Sequence, residues 1–65
     1  MGMKLAAYRA ETGISREEFA RRIKVKNGRT VQRYEQGRVP EGRIMLRIEQ
    51  ETQGKVRLLD FIEAE

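Results

Sequence analysis

The chain has 65 residues, 24 of them charged (14 Lys+Arg against 10 Asp+Glu, net +4), and contains no Cys, His or Trp. Its length suits one domain spanning residues 1–65, because about 60 residues is near the lower limit for folding without staples. Disulfides and Cys/His metal sites are excluded, and the longest apolar run, Leu5-Ala6-Ala7-Tyr8, falls far short of the ~20 residues of a membrane span.

The first predicted helix runs from Lys4 to Thr12, free of breakers, with Leu5 and Tyr8 on one face and Gly13 as its stop. A second begins at Arg16. Ser15 and Glu18 have the spacing of a capping box, and Ile14 and Phe19 that of a hydrophobic staple, with Phe19, Ala20 and Ile23 as the buried stripe. Lys24 to Gly28 is predicted as a turn punctuated by Asn27-Gly28, with Val25 tied to the core. The third helix is expected from about Arg29 to Gln36, burying Val31 and Tyr34, stopped by Gly37 and exposing Arg29, Thr30, Gln32, Arg33 and Gln36. After Pro40, the stripe Ile44, Met45, Ile48 and Thr52 marks a fourth helix ending at Gln53-Gly54. Val56 to Glu65 is compatible with a strand at Val56/Leu58 or with a last helical turn or two, and the helix is preferred. An all-α fold follows, a compact bundle of four to five short helices in which helices two and three, joined by a tight turn, form a helix-turn-helix.

Enzymatic chemistry is poorly provisioned. Ser15 is the single serine, and Glu17, Glu18 and Glu35 have little prospect of a water-excluding pocket in so short a chain. No enzyme, cofactor, small-molecule ligand or membrane partner is expected, and the location is read as cytoplasmic. Charge points elsewhere: between Arg16 and Arg47 ten bases face four acids, whereas the remainder holds four bases and six acids. A basic middle in a weakly acidic frame is the footprint of a nucleic-acid binder. Phe19, Tyr34 and Phe61 fall on buried stripes, so base stacking of the single-strand or RNA kind is poorly supported.

The runs Ile14-Ser15-Arg16-Glu17-Glu18-Phe19-Ala20-Arg21-Arg22-Ile23 and Thr30-Val31-Gln32-Arg33-Tyr34-Glu35-Gln36-Gly37, followed by Pro40 and Met45-Leu46-Arg47-Ile48-Glu49, resemble the Cro/repressor helix-turn-helix family of phage and bacterial regulators. The resemblance extends from Leu5 to about Phe61 and includes Ala10-Glu11-Thr12-Gly13 and Gly54-Lys55-Val56, similar to small single-domain Cro-like members. There are two departures. Lys24 stands where the family usually has Gly, and one extra residue lies between Ile23 and Val31. A left-handed Lys24 costs about 1 kcal/mol or more, so the positive-φ position is expected at Asn27-Gly28.

The resemblance implies that helix three enters the major groove of double-stranded DNA, with Arg29, Thr30, Gln32, Arg33 and Asn27 as base contacts. It implies phosphate contacts from Arg16, Lys26, Gln36, Arg38 and Arg43, with Arg22 a weaker candidate. Gly28, where relatives carry a polar reader, would allow close backbone approach. Glu35 is read as structural and paired with an Arg, since an unpaired carboxylate would be repelled by DNA. Leu58, Leu59, Phe61 and Ile62 put four large apolar side chains in five positions, more than one short helix buries alone, and are read as a homodimer contact. The function implied is a transcriptional regulator, Cro-like in a phage or prophage switch, binding an inverted-repeat operator as a homodimer in a bacterial or phage-infected cell. The alternative is an antitoxin-type interaction module whose DNA binding is secondary.

Overall fold

The computed structural model describes residues 2–62. Four helices follow in order, α1 (Leu5–Thr12), α2 (Arg16–Ile23), α3 (Gly28–Glu35) and α4 (Gly42–Glu51), then a single 3₁₀ turn at Leu58–Asp60. No strand occurs among the described residues. The first two helices begin and end where local signals place them. Gly13 closes α1 in the left-handed region at φ 75°, its amide donating to the Arg9 carbonyl. Ser15 Oγ caps α2 by accepting from the Glu18 amide at 3.0 Å. The return half of the capping box is not made, because the Glu18 carboxylate accepts from Arg21 at 2.8 Å and Arg22 at 3.1 Å instead.

Each helix contributes one apolar stripe to a shared core: Leu5 from α1, Phe19, Ala20 and Ile23 from α2, Val31 and Tyr34 from α3, and Ile44, Met45 and Ile48 from α4, with Val56 closing it. Met3, Tyr8, Ile14, Val25 and Phe61 pack against its rim. Thr52 sits among these side chains at 1% exposure. Its hydroxyl is fully used, donating to the Ile48 carbonyl at 2.7 Å and accepting from the Val56 amide at 3.2 Å. That pair bends the chain out of α4 and onto the core, where Lys55 also accepts from the Met3 amide at 2.8 Å. The largest interface between helices is that of α2 with α3, and no described helix is long and apolar enough to cross a membrane.

Two expectations are corrected. The left-handed residue in the α2–α3 turn is Lys24, at φ 60° and ψ 44°, not Asn27-Gly28. With Lys24 in that conformation the Val25 amide donates to the Ala20 carbonyl at 3.0 Å, and the Val25 side chain packs against the core, the hydrophobic contact that accompanies such a cap. Asn27 is extended at φ −167° and Gly28 is already helical, so the extra turn residue lengthens the connection without moving its cap. The expected tail helix is reduced to the 3₁₀ turn, its backbone closed at Arg57 by the Asp60 carboxylate at 2.8 Å. Its remainder beyond Ile62 lies outside the described residues.

Candidate nucleic-acid interface

Asn27 starts α3. Its Oδ1 accepts from the Arg29 amide at 3.1 Å and from the Thr30 amide at 3.3 Å, satisfying two of the donors that every helix start leaves open. This commits the side-chain oxygen of a residue expected to face a base and leaves its amino group. Downstream, Arg29 and Arg33 are exposed and four apart, on one face of α3. Thr30 and Gln32 are half-buried where full exposure was expected, because Val31 between them drives that side of the helix into the core. Gln36 ends α3, Gly37 follows at φ 114°, and the Arg38 amide folds back onto the Arg33 carbonyl at 3.1 Å. Gln36 and Arg38 are thereby held beside the far end of the same helix, both exposed.

Ion pairs engage Arg9, Arg16, Arg21 and Arg22. Arg9 donates to Glu35 through Nε at 2.5 Å and Nη2 at 3.3 Å, and through Nη1 to the Ile14 carbonyl at 3.0 Å. Arg16 Nε donates to Glu35 Oε1, the oxygen that Arg9 Nη2 also reaches, at 3.0 Å. Arg21 and Arg22 hold Glu18, and Arg22 reaches Glu51 of α4 at 3.3 Å. By contrast, among the described residues no carboxylate pairs with Lys24, Lys26, Arg29, Arg33, Arg38 or Arg43. All six are exposed and lie on α3, in the turn before it, in the segment after it, or in the first turn of α4.

Two of these sit where helix electrostatics disfavours them. Arg29 lies in the first turn of α3 and Arg43 in the first turn of α4, the positive end of the helix dipole, where a cation costs about 0.3–1 kcal/mol. An external anion at both helix starts would reverse that sign. The Glu35 carboxylate is the anchor of the Arg9 and Arg16 pairs. Its side chain is 5% exposed; burial alone would push its pKa up, but the hydrogen bonds from Arg9 and Arg16 outweigh this and hold it below the usual range. As expected of a structural acid, it is paired, and it ties α3 to α1 and to the start of α2.

The residues missed by reading the sequence are Arg9 and Glu17. Glu17 Oε2 accepts from the Gly28 amide at 3.0 Å, so the close approach at Gly28 is taken up by α2. Neither contact has a local signature, since the partners are 26 and 11 residues apart. The candidate phosphate ligands Arg16, Lys26, Gln36, Arg38 and Arg43 are all exposed, Arg16 with its Nε already engaged. No curated protein and no solved structure matches the chain. A family model described as a helix-turn-helix domain matches residues 1–50, which takes in α1, α2, α3 and most of α4, and the chain therefore belongs to the helix-turn-helix domain family, a DNA-binding family.

Proposed function

We propose that this protein is a sequence-specific transcriptional regulator of the Cro/repressor kind, binding an inverted-repeat operator as a homodimer. In this reading α3 lies in the major groove, Arg29 and Arg33 donate to guanine O6 and N7, Thr30, Gln32 and Asn27 supplement them, and Arg16, Lys26, Gln36, Arg38 and Arg43 hold phosphates. The observation that carries it is the concentration of exposed bases around α3 that have no carboxylate partner among the described residues: Lys24, Lys26, Arg29, Arg33, Arg38 and Arg43. A merely solvated surface gives no reason for Arg29 and Arg43 to sit at the positive ends of two helices. Selection of binding sites from random duplex DNA tests the proposal, with a two-fold symmetric consensus expected; recovery of no consensus refutes it.

The homodimer rests on the tail. Leu58, Leu59 and Ile62 are 41%, 75% and 46% exposed, and Phe61 is half-buried, so this end of the chain leaves apolar surface uncovered by the described residues. The same surface favours a second reading, an antitoxin-type module whose tail holds another protein. A neighbouring toxin gene would support that, and a divergently transcribed repressor gene the Cro-like role.

A further inference from the structure

The leading residue of α3 has no side chain, yet its space is filled. A Cβ on Gly28 would lie 2.6 Å from Glu17 Oε2 and 3.2 Å from Arg16 Cβ, so the Glu17 carboxylate stands where a side chain at residue 28 would begin. The Gly28 amide pins it there through Oε2 at 3.0 Å. Glu17 is nonetheless exposed, and among the described residues its Oε1 has no hydrogen-bond partner. Helix starts are what recognition helices present to base edges. Here that position carries an acceptor lent by α2.

We infer that Glu17 is a specificity-determining residue whose free oxygen accepts from a base amino group in the major groove, selecting cytosine at one base pair per bound subunit. The inference rests on the proposed docking of α3. Cytosine presents only its N4 amino donor there, adenine places the N7 acceptor beside its amino group, and guanine presents the two acceptors O6 and N7. A carboxylate thus favours cytosine and is repelled by guanine. Arg29 and Arg33, which only donate, cannot accept from the cytosine N4 amino group and reach such a pair only through the guanine opposite.

The test measures wild type, Glu17→Gln and the double variant Glu17→Ala/Gly28→Gln against all single-base variants of the selected operator. Glutamine keeps an acceptor for the Gly28 amide and turns an amino group toward the groove. Preference for cytosine is expected to fall about 5- to 150-fold at one base pair and to hold at every other. In the double variant the reading group grows from α3 itself, and preference at that same base pair is expected to move to adenine. Uniformly tighter binding by Glu17→Gln with an unchanged ranking would overturn the inference, reducing the carboxylate to a repeller of phosphate. In that event a position flattened by Arg33→Ala would leave the proposed docking standing. A wild type without any consensus overturns both together. Circular dichroism on each variant separates loss of fold from loss of reading, and the double variant provides a second readout if Glu17→Gln unfolds.

Discussion

Replacing Glu35 by Gln should expose how much of this fold hangs on one carboxylate. Glu35 receives two bonds from Arg9 and one from Arg16 at 2.5–3.3 Å. Bonds to charged groups contribute about 1.5–3 kcal/mol each in favourable settings. Arg16 is 45% exposed and counts for little, whereas Arg9 is 18% exposed against a carboxylate at 5%. The expected loss is about 2–3 kcal/mol at pH 7, against a total stability of about 3–10 kcal/mol for a chain of this length. The loss should depend on pH. Because the folded pKa of Glu35 is lowered from 4.5, its contribution is fully present above pH 4.5 and disappears as pH falls through the folded value. Urea denaturation of wild type and Glu35→Gln at pH 7 and at pH 3 should give curves that separate at pH 7 and draw together at pH 3. A difference below about 0.5 kcal/mol at pH 7, or one of equal size at both pH values, would refute the reasoning.

Lys24→Gly should stabilise the fold by about 1 kcal/mol, since Lys24 holds a left-handed backbone at φ 60°; a higher urea midpoint with an unchanged slope is the expected result. Arg33→Ala should flatten base preference at one position per half-site, while Arg43→Ala should weaken all operators alike and lower the salt slope by about one unit. The four charged phosphate contacts per subunit, Arg16, Lys26, Arg38 and Arg43, give a log–log salt slope of about −7 for a dimer, and a slope shallower than about −2 would contradict the assigned face. Leu59→Asp, at the most exposed of the large apolar residues (75%), should abolish dimers in sedimentation and weaken operator binding; unchanged assembly and affinity would return the tail to a monomer role.

The helices were legible because their boundaries are written locally. Gly13, Ser15 with its cap on Glu18, Gly37 and the stripe from Ile44 to Thr52 each act within a few residues of where they stand. The α2–α3 turn is not legible locally, because a left-handed Lys24 is unfavourable in isolation and its compensation, the packing of Val25 on the core, is tertiary. At the candidate interface, the bases could be named but not sorted, since which of them are neutralised depends on Arg9 meeting Glu35 and Arg22 meeting Glu51 across the bundle. Glu17 escaped for a related reason. Its carboxylate fills the space left by the absent side chain of Gly28, eleven residues away.

The unpaired arginines at the starts of α3 and α4 have a consequence for the lifetime of the molecule. Like charges facing helix dipoles lower the stability of the free chain, and a duplex that neutralises them returns it: ligand at a hundred times Kd adds about 2.7 kcal/mol. For a domain of about 3–10 kcal/mol that is a large share. On the proposed reading, copies seated on an operator would be shielded from proteolysis and unbound copies removed faster, so degradation itself would trim the pool to the number of sites it can occupy.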